Sequence, residues 1–357
     1  MKYLKILLVF VPVALVGMFM KWSPTILFVI SALAIIPLAG MIGEATEELT
    51  FYTGAKLGGF LNATFGNATE LIITFLAIKE GLFELVKASI AGSIIGNSLL
   101  VLGASMLAGG LKYKIQVFNR RSTDTTASML LFAVIGLCIP AIFMHTVKPT
   151  EATGYEYLSI IVAIIMFIIY ILSLIFSFFT HKEVFAVLHE KHEDNEAIEE
   201  EEETAKWSLA RCLITLIIVT VLVAIMSEVL VSAVEPMTKS IGLSEFFVGI
   251  IIVPLVGNAA EHSTAVVMAL KNKMDIAVEI ALGSSLQIIL FVLPLTLFFS
   301  LLFTPMSIIF NPFELVALLA SVIIANKVAS DGESNWLEGS LLIGIYIILA
   351  LGFFILK

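Results

Sequence analysis

Charged residues are scarce in this sequence. They make up 14% of the 357 residues, whereas 59% are hydrophobic, and the mean hydropathy is +1.06. So few polar side chains cannot coat a water-soluble globule of this size. The composition therefore excludes an ordinary soluble domain and predicts an all-α protein of the lipid bilayer.

Basic residues and cysteines are also few. Twenty Lys and Arg stand against 29 Asp and Glu, which argues against nucleic acid as a partner. Eight of the acids lie between Glu193 and Glu203, with no base among them, so the negative charge is partly local. The two cysteines, Cys138 and Cys212, lie in apolar runs, where a buried thiol is commoner than a disulfide or a metal ligand.

Long apolar runs are the main feature of the chain. A helix needs about 20 residues to cross the hydrocarbon core, and we interpret eleven runs as transmembrane helices. Their approximate bounds are 3–20, 24–42, 55–78, 82–108, 126–145, 157–179, 209–233, 246–270, 276–302, 312–328 and 337–356. The first run has a basic start, but no small-residue cleavage site follows before Lys21, so we expect a retained helix.

The distribution of basic residues predicts the orientation of the chain. Lys and Arg collect on the cytoplasmic side of inserted helices, while acids contribute little. With the N-terminus inside, fourteen of the twenty basic residues are cytoplasmic. We therefore expect a cytoplasmic N-terminus, a cytoplasmic acidic linker and an external C-terminus. Because both termini are short and carry no targeting region, we expect the plasma membrane of a prokaryote.

An internal repeat relates the two halves of the chain. GNATE at 66–70 matches GNAAE at 257–261 at an offset of 191 residues, and Gly-Ser at 92–93 matches Gly-Ser at 283–284 at the same offset. Five spans in each half is an odd number, so the second half must enter the membrane from the opposite side. The predicted organisation is an extra N-terminal helix (1–22), a five-helix repeat (23–179), the acidic linker (180–208) and an inverted five-helix repeat (209–357).

Glycine and proline interrupt both motif-bearing spans. Gly58, Gly59 and Gly66 accompany the first motif, and Pro254 and Gly257 accompany the second. Proline frees a backbone carbonyl, which is tolerated at membrane depth only when it is buried in protein or lines a watery cavity. We expect these breaks to supply carbonyl ligands to a cation site at the midplane, with Pro254 also a candidate for gating. A simple packing kink is the alternative.

Two acids lie within these apolar spans. Glu70 and Glu261 follow Asn67 and Asn258 by three residues, so each pair shares a helical face. A carboxylate inside the membrane is costly and is functional by default. Carboxylate, amide and backbone oxygens form the kind of shell that Ca2+ takes, whereas zinc or copper would favour Cys and His. We therefore expect Glu70 and Glu261 to bind the metal ion, a structural pair of acids being the alternative.

The same two acids suggest the coupling ion. Apolar surroundings penalise ionised carboxylates, so the pair is expected to bind protons in the absence of metal and to lose them to a divalent cation. One site that holds either metal or protons is what an antiporter needs. We expect Ca2+ and H+ as the transported ions, and no cofactor.

Other polar residues belong to the same neighbourhood or to its approaches. Several in the fourth and ninth spans could complete the shell or serve only close helix packing: Ser93, Asn97, Ser284 and Gln287. Glu47 and Glu228 could attract cations electrostatically or be solvated interfacial acids. His262 lies on a different face from Glu261, which favours gating or proton relay over a role as ligand.

The linker contains a partial metal motif. The segment HEKH at 189–192 is one residue short of the zinc-hydrolase pattern H-E-x-x-H, which argues against a metalloprotease. The acidic run beside it is typical of a solvated cytoplasmic helix, and a weak Ca2+-regulatory segment is the alternative.

Taken together, the motifs resemble a known family. GNATELI at 66–72 and GNAAEH at 257–262, each followed by Gly-Ser and separated by an acidic segment, resemble the two signature regions of the calcium/cation antiporter superfamily, specifically its Ca2+/H+ exchanger branch. The resemblance covers spans two to eleven and implies ten core helices in two inverted bundles. It further implies that Glu70 and Glu261 carry Ca2+ and protons, with four amides nearby: Asn67, Asn258, Asn97 and Gln287.

Other functions fit the sequence less well. The Na+/Ca2+ relatives within that superfamily carry hydroxyl-rich motifs where this chain has Asn67 and Asn258, but a Na+/Ca2+ or broader divalent cation exchanger is kept as the alternative. A channel normally gains its symmetry from subunits, whereas this chain contains an inverted pair within itself, so a channel fits less well. The spans carry no hydrolase motif, so we expect no enzyme. The sequence leaves open the oligomeric state, including a homo-oligomer, and the proton-to-calcium stoichiometry.

Overall fold

The chain is a bundle of apolar helices. The computed structural model describes residues 4–144, 152–181, 184 and 205–356. Eight of its helices are long and apolar enough to cross a membrane, and a ninth span results if Glu245–Gly257 and Ala259–Leu270, bent by 59°, are counted together. A shorter apolar helix covers Leu4–Phe19. The HEKH segment and the acidic run of the linker lie outside the described residues.

The first part of the chain forms six α-helices after a 3₁₀ turn at Leu4–Val9. They are α1 (Phe10–Phe19), α2 (Pro24–Phe65), α3 (Ala68–Lys79), α4 (Phe83–Ile95), α5 (Leu102–Tyr113) and α6 (Arg120–Met144). A π-helical turn, Gly96–Val101, joins α4 to α5. Two of the eleven expected spans are therefore not separate here, because the helix begun at Pro24 continues beyond residue 42 to Phe65.

That long helix changes direction at Gly54. The residue has φ 75° and ψ 165°, a left-handed backbone conformation that glycine reaches at little steric cost. The helix then resumes and ends at Phe65, and α3 begins only after Asn67. The expected third span, 55–78, is thus broken in its middle.

The rest of the chain forms ten further α-helices, and several short ones among them are joined by π-helical turns. The α-helices are α7 (Ala152–Ile175), α8 (Leu209–Ile241), α9 (Glu245–Phe247), α10 (Val253–Gly257), α11 (Ala259–Leu270), α12 (Met274–Val278), α13 (Ser284–Gln287), α14 (Leu293–Ser300), α15 (Pro312–Ala329) and α16 (Trp336–Ile355). The π-helical turns are Phe176–Thr180, Val248–Ile252, Glu279–Gly283 and Ile288–Val292. Such turns are frequent at functional sites.

Contacts between connections show which of them share a face of the bundle. Strand β1 (Ile115–Val117) pairs antiparallel with β2 (Glu333–Asn335), so the connections α5–α6 and α15–α16 meet. Tyr113 Oη donates a hydrogen bond to the Leu270 carbonyl at 2.9 Å, which brings the end of α11 to the same face. On the expected orientation all three connections are cytoplasmic.

Two spans form the interior of the bundle. The most apolar windows of Phe83–Tyr113 and Met274–Ser300 are 83% and 72% buried, against 22% for Trp336–Ile355. Small residues allow helices to approach closely in the absence of a hydrophobic drive between them: a Cβ on Gly103 would lie 2.9 Å from the Gly339 carbonyl oxygen. The interior spans are the ones that carry the repeated Gly-Ser pairs.

Candidate cation site

Both acidic motifs lie at breaks between helices. Asn67 (φ −101°, ψ 17°) separates α2 from α3, and Asn258 (φ −93°, ψ 8°) separates α10 from α11. Glu70 and Glu261 therefore sit in the first turns of α3 and α11. Backbone N–H groups at helix N-termini lack intrahelical partners and carry partial positive charge, which favours a carboxylate even at membrane depth.

The two carboxylates reach toward each other's motifs. Glu70 Oε1 lies 2.9 Å from the position of a Cβ on Gly257, and Glu261 Oε1 lies 3.7 Å from the position of a Cβ on Gly66. The charge of Glu261 acts on Glu70 electrostatically. Any side chain at Gly257 would press on Glu70, so this glycine is explained by the close approach of an acid from the other half.

The amide side chains of the two motifs are oriented by neighbouring spans. Asn67 Nδ2 donates to Gln287 Oε1 at 2.6 Å. Asn258 Nδ2 donates to Ser93 Oγ at 3.0 Å and to the Pro254 carbonyl at 3.1 Å. In both residues the nitrogen is committed to a hydrogen bond, and both side chains are buried.

Two further expected residues join this group. The Ser284 side chain hydrogen-bonds to the Glu261 carboxylate. His262 Nε2 lies 3.1 Å from Asn97 Oδ1, so the histidine contacts the interior span α4–α5 and is not placed beside its neighbour Glu261 as a second ligand. The structure thus brings together seven polar residues predicted from the sequence around the two acids, namely Asn67, Ser93, Asn97, Asn258, His262, Ser284 and Gln287.

Several buried oxygens at the site have no hydrogen-bond partner among the described residues. They are Glu70 Oε2, Glu261 Oε2 and Asn258 Oδ1. Leaving buried acceptors unsatisfied costs about 1–3 kcal/mol each, and more for a charged group. A bound cation, or protons on the carboxylates, would offset that cost, and these oxygens are of the type that Ca2+ prefers.

The expected role of freed carbonyls as ligands stays a prediction, and the structure shows where one of these carbonyls points. The carbonyl freed by Pro254 is that of Ile250, and the turn Val248–Ile252 that contains it is π-helical. A Cβ on Gly92 would overlap the Ile250 carbonyl and lie 2.7 Å from Pro254 Cγ, so this carbonyl faces α4. The 59° bend lies at Asn258, four residues after the proline, which lies in the first turn of α10 directly after the π-helical turn.

The two acids expected to attract cations lie on the outer surface of their helices. Glu47 on α2 and Glu228 on α8 are both exposed. Near Glu47, Glu44 pairs with Lys5 at 2.8 Å, and Glu48 accepts from the backbone N–H of Lys206 at 2.8 Å. The roles of Glu47 and Glu228 remain predictions.

One acid of the interior spans was not singled out from the sequence. Glu279 begins the π-helical turn Glu279–Gly283 and its side chain is exposed. The signal was available, because Glu279 is a charged residue inside the apolar run 276–302. Another acid, Asp275, lies one turn earlier. It accepts a hydrogen bond from the Asn119 backbone N–H and so anchors the start of α6.

Comparison with known proteins identifies close relatives. The model of the family described as "Sodium/calcium exchanger protein" matches residues 23–179 and 212–355. A Ca(2+)/H(+) antiporter of Aphanothece halophytica is 48% identical over 98% of this chain and 95% of its own. The Ca(2+)/H(+) antiporter ChaA of Bacillus subtilis is 45% identical over 97% of both chains.

Solved structures show the same architecture. A structure of native YfkE is 40% identical and has a TM-score of 0.84, covering 98% of this chain and 99% of its own. A structure of the H+/Ca2+ exchanger CAX has a TM-score of 0.72 over 99% of this chain and 92% of its own, at 13% identity. The second likeness concerns the fold alone.

Proposed function

The chain belongs to the sodium/calcium exchanger protein family, and from this premise we propose that it is a Ca2+/H+ antiporter. Ca2+ and protons would compete for one site formed by Glu70 and Glu261 and reached alternately from the two faces of the membrane. The relatives named above are themselves called Ca2+/H+ antiporters, and none of these names denotes an enzyme. No cofactor is needed in this proposal.

The observation that carries the proposal is the reciprocal approach of the two acids. Each carboxylate lies against the glycine that opens the other motif, so neither half alone forms the site. Two ionised carboxylates match the charge of Ca2+, and two protons neutralise them when the cation is absent. Occupation by one ion excludes the other, which links the two fluxes without a second site.

The proposed arrangement has eleven spans, namely one extra N-terminal helix followed by two inverted five-helix repeats. The count takes Leu4–Phe19 as the first span, the second part of α2 continued by α3 as the third, and the bent pair α9–α11 as the eighth. In support, the helix breaks at Asn67 and Asn258 are 191 residues apart, and the π-helical turns Gly96–Val101 and Ile288–Val292 nearly coincide at that offset.

Each polar neighbour has a proposed role. Asn67 and Asn258 present their side-chain oxygens to the cation, because Gln287 and Ser93 hold their nitrogens. Ser284 orients Glu261. His262, with Asn97 as its partner, is a candidate for passing protons or for gating, and Pro254 for allowing its span to rearrange at the contact with Gly92.

A Na+/Ca2+ exchanger is the second candidate, because the family bears that name. Proton coupling is favoured by the two amides at the motif positions and by the names of relatives that match almost the whole chain. The membrane is proposed to be the prokaryotic plasma membrane, with the N-terminus and the linker inside. Among the relatives, a vacuolar calcium ion transporter of Schizosaccharomyces pombe is 38% identical over 99% of this chain and 84% of its own.

The direct test is uptake of radioactive Ca2+ into proteoliposomes of the purified protein. We expect uptake driven by an imposed pH gradient and none driven by an imposed Na+ gradient. Uptake driven by Na+ would move the assignment to the Na+/Ca2+ exchangers, and flux independent of both gradients would indicate a channel.

A further inference from the structure

Glu279 is an acid on one of the two interior spans. The residues around it, Val278, Ala281 and Leu282, are buried, yet the Glu279 side chain is exposed. Protein atoms still surround its carboxyl group closely enough to desolvate it. A side chain that is exposed while protein atoms surround its carboxyl group lies in a concave part of the surface, a crevice, and a charged side chain on a transmembrane span faces such a cavity in preference to lipid.

This crevice leads toward the cation site. Glu279, Gly283 and Gln287 follow one another at intervals of four residues, so they share one side of the span. Among the described residues, a Cβ on Gly283 would meet nothing closer than Glu279 Cγ, at 4.0 Å. Ser284, beside Gly283, hydrogen-bonds to Glu261, and Gln287 accepts from Asn67. One helical turn therefore separates Glu279 from the first groups of the site.

The equivalent position in the first half has no acid and no crevice. The residue 191 positions before Glu279 is Ala88, which is fully buried. A Cβ on Gly249 would lie 2.8 Å from Ala88 Cβ, so α4 is packed directly against the turn Val248–Ile252. The residue equivalent to Gly249 is Gly58, and a Cβ there would lie nearest to Thr50 of its own helix, at 2.6 Å.

The charged residues near Glu279 are Asp275, Lys271 and Lys273, and their positions determine how Glu279 acts on an approaching cation. Asp275 is engaged with the Asn119 backbone. Lys271 and Lys273, at the face of the bundle where this span begins, are exposed, and their positive charges oppose the approach of Ca2+. A carboxylate in a narrow crevice with low-dielectric walls raises the local concentration of cations and counteracts that repulsion.

We infer that Glu279 binds Ca2+ transiently on the path between the cation site and the face that carries Lys271 and Lys273. It sets the apparent Ca2+ affinity on that face only, because the other half has alanine at the equivalent position. The inference rests on the proposed function in that it takes Ca2+ as the ion, and it adds a residue that discriminates between the two faces. On the proposed orientation this face is cytoplasmic.

The test compares the two faces in membrane vesicles of opposite orientation that contain the protein. The readout is exchange of radioactive for unlabelled Ca2+, which needs no proton gradient. For Glu279→Gln we expect the half-saturating Ca2+ concentration on the Lys271 face to rise about three- to tenfold. The maximal rate, and the half-saturating concentration on the opposite face, stay at wild-type values. The rise shrinks at high ionic strength because salt screens the carboxylate.

Two further variants serve as controls. Glu279→Asp keeps the charge and should stay near wild type. Glu235→Gln removes an exposed acid that pairs with Lys239 at 2.5 Å on α8 and should leave the Lys271 face unchanged. An unchanged half-saturating concentration for Glu279→Gln, an equal rise on both faces, or a loss of maximal rate would each overturn the inference. Proton-driven uptake by the wild type, measured in the same vesicles, decides the proposed function separately.

Discussion

The two halves of the molecule differ most at the contact between each broken span and the interior span beside it. At one of these contacts, α4 of the first half meets the turn Val248–Ile252 of the second half so closely that neither Gly92 nor Gly249 can carry a side chain without overlap. At the equivalent contact, a Cβ on Gly283 would meet only Glu279 Cγ, at 4.0 Å, among the residues that the structure describes, and Glu279 is exposed. The two contacts are therefore formed by segments related by the 191-residue offset, yet one contact is closely packed and the other is not.

On the proposed mechanism, this difference lets a single site serve two faces. A repeat in which both contacts were packed would isolate the acids, and one in which both were unpacked would leak. With one contact packed, Glu70 is 8% exposed while Glu261 is half-buried. Exchange of the two arrangements between the halves would reverse the exposed face, as alternating access requires.

The largest effect should come from the acids themselves, where the two halves are equal. Glu70→Gln and Glu261→Gln should each abolish Ca2+ transport, because removing one of two buried charges that hold a cation costs about 2–5 kcal/mol of binding free energy. Uptake into proteoliposomes measures this, with Glu235→Gln as the matched control. A single variant that exchanges at the wild-type rate would refute the shared site.

Substitution of the equivalent glycines should separate the halves. Gly92→Ala should destabilise the protein by about 1–3 kcal/mol, because the added methyl group overlaps the Ile250 carbonyl in a packed contact. Gly283→Ala should leave stability near wild type. Thermal unfolding in detergent compares the two, and equal shifts in Tm would contradict the packed and unpacked assignment.

Pro254→Ala should impair transport while expression is retained. The substitution supplies the N–H that Pro254 lacks, so the turn before it can form regular α-helical bonds to Ile250 and lose the π-helical geometry that packs on Gly92. We expect a reduction of about threefold or more in uptake rate, as for residues that serve conformational steps. Unchanged uptake would show that the proline only shapes packing.

The smallest effects should come from the paired serines. Ser284→Ala should weaken Ca2+ binding more than Ser93→Ala, because Ser284 bonds to Glu261 while Asn258 keeps its Pro254 acceptor without Ser93. Each change corresponds to about 0.5–1.5 kcal/mol. Titration of the purified variants with Ca2+ gives the order, and a larger loss for Ser93→Ala would contradict this ranking of the two serines.

Much of the site could be predicted from the sequence. The offset of 191 residues paired Glu70 with Glu261 and Asn67 with Asn258, and all four lie at equivalent helix breaks. The resemblance to Ca2+/H+ exchangers, stated from the two motifs, is confirmed by the family match and by the relatives. Intramembrane acids carry this much information because their burial is too costly to persist without a function.

The remaining features depend on three-dimensional packing that the sequence pattern does not specify. A proline predicts a freed carbonyl but not its direction, and the Ile250 carbonyl faces Gly92 instead of the acids. The repeat predicts two equivalent halves, so it cannot tell which of them is packed in a given conformation. The apolar runs 24–42 and 55–78 predicted two separate spans, but not that the helix from Pro24 extends through the polar stretch between them and resumes after a kink at Gly54 to end at Phe65.

The central claim is that one site holds either Ca2+ or protons. Calorimetry of Ca2+ binding to the purified protein, in two buffers of different ionisation enthalpy, measures the protons released per Ca2+ bound. The account predicts proton release by the wild type, and a smaller release at a pH high enough for the carboxylates to be ionised before Ca2+ binds. Ca2+ binding by the wild type without proton release, across the pH range in which the protein is folded, would contradict it.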